Sequence, residues 1–467
     1  MAADTTPTGH AGHAPADTMP AGHAGHAPPP GSRPSDADRA AARAPKSMAH
    51  GGHAMQEGET HRMLMLPLPG GWQLLGMAQA FPMATWGAPG EDGSPLHDTE
   101  SYLTQPAAMA NIESPGSRLV LRTTLNFEAL TQPDGEYTFG GWGEGFIDKR
   151  HPHTFLHEAM LSLNLWKAAG GSFSLSAGKG FAPYGTDDPM SRPVAKYPTN
   201  HHLSQLLERW TLNAIYLRGA WGIEAGVFGG QEPDGPYDLG NVESFGDSYS
   251  ARLTRRFGGR GTGAAWEASA SYGSVREEHH GEAERTSLMN VALRHYRDYA
   301  DGGLYALVEA SRSEPRGEEK GYYSLLGEGL FRVGMHRPYG RVEYATRPEY
   351  EREGAPGTEG FFRYDHDAHA EGATRWLITS LGYEVDLPGD VVTTRPFLEV
   401  QHNRVWEERG GIDPRALFGT SSFFSISAGF RLFFGGGPMR MGSYGVLDDM
   451  TTMHRPPEQG GGASHRH

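Results

Sequence analysis

Leu119-Val120-Leu121-Arg122-Thr123-Thr124-Leu125-Asn126-Phe127-Glu128 alternates with a period of two. In an extended chain Leu119, Leu121, Thr123, Leu125 and Phe127 share one face, and Val120, Arg122, Thr124, Asn126 and Glu128 share the other. The first face is apolar, and the second carries an arginine and a glutamate. The division recurs along the chain. At 155–165, Phe155, Ala159, Leu161, Leu163 and Leu165 oppose Glu158, Ser162 and Asn164. At 208–217, Trp210, Leu212, Ala214 and Tyr216 oppose Arg209, Thr211 and Asn213. At 266–272, Trp266, Ala268, Ala270 and Tyr272 oppose Glu267, Ser269 and Ser271. At 424–434, Phe424, Ile426, Ala428, Phe430, Leu432 and Phe434 oppose Ser425, Ser427 and Arg431.

About sixteen such segments start near 72, 117, 136, 153, 172, 207, 220, 247, 264, 284, 302, 322, 338, 371, 391 and 420. Short turn-like joints such as Gln132-Pro133-Asp134-Gly135 and Leu387-Pro388-Gly389-Asp390 alternate with longer polar ones at 85–116, 181–206, 229–246, 275–283, 312–321, 348–370 and 403–419. The segment 148–153 is the short exception. Tight turns at one rim and long loops at the other are the mark of an up-and-down barrel. An even strand number places both ends of the barrel at the tight-turn rim.

Composition narrows the alternatives. Of 467 residues, 65 are Gly and 33 Pro, and none is Cys. Disulfide frameworks, thiolate metal sites and thiol nucleophiles are excluded. No apolar run approaches the 18 residues of a membrane helix. The net charge of −15, from 41 basic against 56 acidic residues, leaves a nucleic-acid partner without phosphate neutralisation. A soluble β-sandwich would also alternate, but it would bury the apolar face and tolerate few charges in its core. Here Trp166, Trp210, Tyr216, Trp221, Tyr249, Trp266, Tyr272 and Phe434 lie near strand ends, as interfacial aromatics do. Arg122, Glu128, Glu158, Arg209, Arg252, Glu267, Glu309, Arg395, Glu399 and Arg431 take the opposite face, as a water-filled lumen permits.

The expected fold is therefore all-β: a transmembrane antiparallel up-and-down barrel of sixteen strands (range about 14–18) over 71–434, between disordered tails at 1–70 and 435–467. Sixteen strands leave room for an aqueous channel. The pore-lining residues are expected to be the ten charged ones just named. Both signs are present, and the acidic net charge favours cations. Loop 181–206 is long enough to fold inward and narrow or close the pore. Met1-Ala2-Ala3-Asp4 shows neither a basic nor an apolar leader segment, so export is expected to proceed from a mature form behind an added Met or from a different start.

The first sixty residues are Ala, Gly, Pro, Asp and Thr punctuated by His10 and His13, His23 and His26, His50 and His53, with Met48 and Met55 among the interleaved methionines. So little apolar surface cannot offset chain entropy. Paired imidazoles chelate divalent transition metals, and thioethers suit Cu(I), so copper is expected ahead of zinc or nickel. The plain alternative is a tail of biased composition. No cofactor is required. A second candidate metal site joins His151 and His153 to His201 and His202 across two loops. Its alternative is ordinary loop packing. His157, by strict alternation, shares the lipid-facing side of Phe155 and Ala159. His279, His280 and Asp365-His366-Asp367-Ala368-His369 read as solvated loops. No nucleophile elbow, His-Glu-x-x-His helix or phosphate-cradling glycine loop stands in a convincing context, so an enzyme is not expected.

On these residues the chain resembles Gram-negative outer-membrane porin-like barrels over 72–434. The strand Ser425-Ile426-Ser427-Ala428-Gly429-Phe430-Arg431-Leu432-Phe433-Phe434 looks like the closing strand of such barrels, although 33 residues follow it. The leader alone is similar to that of the copper-resistance protein B family. The stretch Phe146 to Glu158, with Asn200-His201-His202, resembles a group of uncharacterised outer-membrane proteins. The resemblance implies an outer-membrane location, lipid and small solutes or metal ions as partners, and a homotrimer as one assembly. The expected function is passive passage of small hydrophilic solutes or ions. The alternative is a non-conducting metal-binding barrel.

Overall fold

The computed structural model describes residues 64–89, 99–131, 154–168, 170–233, 235–240, 242–259, 264–279, 282–299, 302–316, 321–350, 370–389, 391–435 and 441–445. Seventeen strands appear: β1 (Leu64–Pro67), β2 (Gln73–Pro89), β3 (Thr99–Glu113), β4 (Leu119–Asn126), β5 (Leu156–Ala168), β6 (Gly171–Gly180), β7 (Arg209–Arg218), β8 (Trp221–Phe228), β9 (Ser248–Gly259), β10 (Ala264–His279), β11 (Glu282–Tyr299), β12 (Gly302–Pro315), β13 (Tyr322–Val333), β14 (His336–Tyr350), β15 (Ala370–Val385), β16 (Val392–Arg409) and β17 (Ser422–Phe434). Three short helices, α1 (Glu128–Thr131), α2 (His201–Ser204) and α3 (Pro414–Phe418), lie between strands.

From β2 onward each strand pairs antiparallel with the next, and β17 returns to pair with β2, from Phe423↔Pro89 to Phe434↔Ala78. The result is a closed sixteen-strand antiparallel barrel without a free edge. β1 continues the seam. It pairs with β2 from Leu64↔Gly76 to Pro67↔Gln73, where β17 has ended.

The alternation seen in the sequence becomes inside and outside. Along β4 the residues Val120, Arg122, Thr124 and Asn126 are buried, while Leu119, Leu121, Thr123 and Leu125 face out. The exposed side is the apolar one: Leu161, Leu165, Ile223, Val291, Val308 and Leu398 are all about half exposed or more, at 50%, 51%, 51%, 55%, 55% and 53%. Trp166, Trp221, Tyr249 and Tyr272 also stand on the outer surface. The interior is rich in Ser, Thr, Asn, Arg and Glu, interrupted by apolar patches that include Phe81, Phe228, Leu288, Leu330 and Phe397. That inverts a soluble β core and matches a wall bathed in lipid.

Strand number and strand identity came apart in one place. The segment expected near 136 lies outside the described residues. The loop expected at 85–116 instead contains β3, so the long joint here falls between β2 and β3, and 114–118 is a tight turn. β3 hid itself because its sequence Thr99 to Glu113 is rich in small residues and carries Pro106, which weakens a strand reading. A bulge accompanies it. The β2–β3 register shifts between Gln79 and Phe81, opposite Gln105, whose φ is +51°. On the far rim the strands run longer than alternation implied. β10 reaches His279 and β11 starts at Glu282, so the loop expected at 275–283 is a hairpin. β12, β14 and β16 likewise extend to Pro315, Tyr350 and Arg409.

Leu161→Arg on the outer wall is expected to cost about 2–4 kcal/mol, the penalty of a basic side chain deep in the bilayer. Leu161→Phe should stay within about 0.5 kcal/mol of the parent. Urea unfolding of the refolded protein in lipid vesicles, followed by tryptophan fluorescence, measures both.

Candidate functional site

Between β6 and β7 the chain does not stay at the rim. Residues 181–208 enter the lumen, and nearly all of them are buried. Pro183, Pro189, Pro193 and Pro198 keep the segment out of regular structure. One short turn of helix at Pro189–Ser191 is capped by the Asp188 carboxylate, which accepts from the Met190 N–H at 2.8 Å. α2 supplies the only other helical turn of the loop. The two limbs of the loop press together at Gly185, where φ is +62° and a Cβ would lie 1.6 Å from the Ser204 carbonyl oxygen. Only glycine fits there.

The loop is fastened to the wall around most of its circumference. Apolar contacts come in patches: Tyr184 and Leu206 with Phe228, Val275 and Leu288; Val194 with Leu330 and Tyr339; Ala195 with Phe81, Phe397 and Phe433; Leu203 with Tyr322 and Ala373. Polar wall groups hold its backbone. Arg431 donates to the Pro193 and Arg192 carbonyls at 2.6 and 2.8 Å. Arg341 donates to the Lys196 carbonyl at 2.9 Å, and Gln105 Nε2 to the Ala195 carbonyl at 2.9 Å. Glu343 accepts from the Thr199 N–H.

Glu309 on β12 is the densest anchor. It accepts from Thr186 Oγ1 at 2.7 Å, Arg192 Nη2 at 3.2 Å, Asn200 Nδ2 at 3.1 Å and Asn290 Nδ2 at 2.9 Å. Burial alone would make the Arg192 guanidinium easier to deprotonate, but Glu309 and then Glu328 outweigh it and hold its pKa above the ordinary value. His201, also fully buried, moves the other way. Burial first, and then the neighbouring His202, press its pKa well below the ordinary imidazole value, so it is neutral.

The ten charged residues expected to line a pore face inward, and every one has a partner. Arg252 makes two bonds to Glu224 at 3.0 and 2.7 Å. Glu267 takes Arg256 at 2.8 Å and Arg294 at 3.2 Å. Arg209 meets Glu232 at 2.6 Å and Glu277 at 3.1 Å. Arg395 pairs with Asp386, Glu399 accepts from Tyr339 at 3.0 Å, and Glu158 accepts from Thr124 at 2.9 Å. Arg122 reaches Asn111 at 3.3 Å. Glu128 sits on α1, not on a strand. It accepts from the Gln105 N–H at 2.8 Å, Asn126 at 3.0 Å and Tyr197 at 3.0 Å, tying β3, β4 and the inward loop together. These groups frame an occupied lumen.

The expectation for His157 is corrected. A bulge shifts the β4–β5 register between Thr124 and Leu125, so His157 and Glu158 both turn inward. His157 lies fully buried, its Nδ1 2.7 Å from Glu208 and its Nε2 3.8 Å from Asp188. Lys179 Nζ donates to Thr154 Oγ1 at 2.6 Å close by. Glu208 has φ +59°, and its carboxylate also accepts from the Thr154 N–H at 2.7 Å. This cluster clamps both ends of the loop.

Of the expected metal ligands, His10, His13, His23, His26, Met48, His50, His53, Met55, His151 and His153 lie outside the described residues. His201 and His202 are neighbours on α2, with ring centroids 5.7 Å apart, and His201 stacks on Tyr197 at 5.1 Å. Among the described residues, no group of three or more His, Cys, Asp or Glu is placed to hold a metal ion. Alternation did not single out Arg341, Glu343, Glu328 and Glu384, although each sits at an inward strand position. Gln105 and Arg192 carry no such signal, because a bulge and an irregular loop place them.

No family model matches the chain, and no curated protein matches it. Solved structures do. OmpT, an outer-membrane protein of Vibrio cholerae, aligns at a TM-score of 0.45 and 11% identity, over 79% of this chain and 100% of that one. OmpF of Salmonella typhi aligns at 0.44 and 12%, over 79% and 100%. An anion-selective porin from Comamonas acidovorans aligns at 0.42 and 12%, over 78% and 99%. The closed even-numbered barrel, apolar outside and polar inside, is the fold of Gram-negative outer-membrane proteins.

Glu309→Ala leaves Arg192 buried without its carboxylate and is expected to destabilise the seated loop by about 3–5 kcal/mol. Trypsin should then cut after Lys196, which the parent buries, while the β-sheet circular dichroism of the barrel is retained.

Proposed function

We propose that this protein is an outer-membrane pore for passive passage of small hydrophilic solutes or ions, embedded in lipid as a single barrel or a homotrimer, with its His/Met-rich leader capturing copper or a related transition metal. The observation that carries the pore reading is the sorting of the wall. Sixteen strands enclose a section too wide for strand side chains alone to fill. Outside the apolar patches that seat residues 181–208, the inner face is charged and hydrogen-bonding, as a hydrated interior requires. Residues 181–208 set the width of the path, because they cross the section and are held by bonds that local rearrangement can break. The leader reading rests on His10, His13, His23, His26, His50 and His53 with Met48 and Met55, whose side chains match Cu(II) and Cu(I).

The packing of residues 181–208 favours one second reading, a barrel that holds metal and conducts nothing. Single-channel recording separates the two. Refolded full-length protein in a planar bilayer is expected to give ohmic steps. Silence from protein shown to be folded and inserted overturns the pore and leaves the metal-binding barrel.

For the leader, full-length protein should retain copper that a variant with those six histidines and two methionines changed to Ala does not. Equal copper content after dialysis overturns that role.

A further inference from the structure

The barrel closes at Phe434, yet the chain continues, and residues 441–445 lie inside the lumen. Met441 and Tyr444 are buried at 2% and 7% exposure and join an apolar cluster with Met160, Phe181, Met190 and Ile215. β17 ends at the tight-turn rim, the rim opposite the one at which residues 181–208 leave β6 and join β7.

Its seat is built of specific groups. Arg122 Nη1 donates to the Ser443 carbonyl at 2.7 Å. Arg252 Nη2 donates to the Gly442 carbonyl at 2.7 Å and to Ser443 Oγ at 2.8 Å. Tyr444 Oη accepts from the Phe181 N–H at 2.9 Å, joining the segment to the inward loop. The Gly445 N–H reaches Ser162 Oγ at 3.4 Å. Gly445, at φ +100°, packs against the wall so closely that a Cβ would lie 3.3 Å from Ser174 Oγ. Both arginines thus donate to neutral carbonyls of the chain's own tail, Arg252 while also paired with Glu224. Beside them a cavity is lined by Arg122, Arg252, Arg256 and Arg294. Glu224 holds Arg252, Glu267 holds Arg256 and Arg294, and Asp187 also holds Arg294, whereas the bonds of Arg122 go to neutral oxygens of Asn111 and Ser443.

We propose that residues 441–445 are a removable internal cork that closes the lumen from the tight-turn rim, and that the seat they vacate presents Arg122 to small anions. Charge-assisted bonds to neutral carbonyls are weaker than a bond to a carboxylate or phosphate. The tail therefore holds the site closed without occupying it irreversibly. Arg122, whose hydrogen bonds go to neutral groups, and not the net charge of the whole chain, is the charge that a permeating anion meets.

The inference rests on the pore reading, and the test tells the two apart. In a chain without native cysteine, Ser174→Cys with Gly445→Cys places two thiols across the contact between cork and wall, and loss of free thiol on oxidation shows that the disulfide has formed against the strain of a side chain at φ +100°. Single-channel recording of the full-length variant is expected to be silent when oxidised and to show steps after dithiothreitol. Tyr444→Ser removes the ring that packs under Phe181 and weakens the bond to its N–H. Its open fraction should rise about tenfold, the scale of one lost buried hydrogen bond. Under a potassium chloride gradient the reversal potential of the open state should mark anion selectivity. Equal conductance of the oxidised and reduced forms overturns the cork and leaves the pore standing. A cation-selective reversal potential overturns the arginine assignment. Silence of the reduced form and of Tyr444→Ser, in inserted protein, overturns the pore and the cork together.

Discussion

A backbone N–H or C=O that meets hydrocarbon has no water to bond, so a strand can cross a membrane only if both of its edges are paired. The seam between β17 and β2 meets that demand, and the rest of the molecule depends on it. Once the sheet is closed, strand alternation has only two destinations. Leu161, Ile223 and Val308 meet lipid, and Arg252, Glu309 and Arg431 meet the interior. The extra pairing of β1 along β2, past the end of β17, extends the same protection to the last exposed stretch of β2.

A closed barrel of this size creates a second problem, which is what occupies its polar interior. Residues 181–208 answer it with a proline-rich segment that carries its own unpaired backbone groups into the lumen. The wall supplies the partners. Arg431, Arg341 and Gln105 donate to loop carbonyls, while Glu343 accepts from a loop N–H. Buried ion pairs such as Arg192–Glu309 add little net stability, because desolvation offsets the attraction. Their value is positional: each charged group has one place where it is satisfied, so the loop has one seat. Residues 442–444 use the same device against Arg122 and Arg252. The interior is thus held by bonds that individually are reversible, inside a wall that is not.

Most strands could be read directly. β4, β7 and β17 follow strict alternation, and the outward and inward sets named from the sequence are the outward and inward sets of the barrel. The failures share a cause. β3 was missed and His157 was assigned to lipid because each lies at a bulge, where one extra residue breaks the period of two. Pro106 and Gln105 disguised the first, and nothing in His153 to Glu158 announces the second. The C-terminal tail shows the same limit in another form. Gly442-Ser443-Tyr444-Gly445 reads as a flexible end, yet it is buried, because its partners Arg122, Arg252 and Phe181 are some two to three hundred residues away.

The amino-acid sequence by itself determined the class of fold, the sidedness of each regular strand and the charged character of the interior, because a period of two is a local property that a lipid-facing wall converts directly into inside and outside. Only the tertiary structure decided what fills that interior. Whether Arg431 lines an open channel or grips Pro193, and whether Arg122 faces water or Ser443, depends on segments that meet only after the barrel has closed around them.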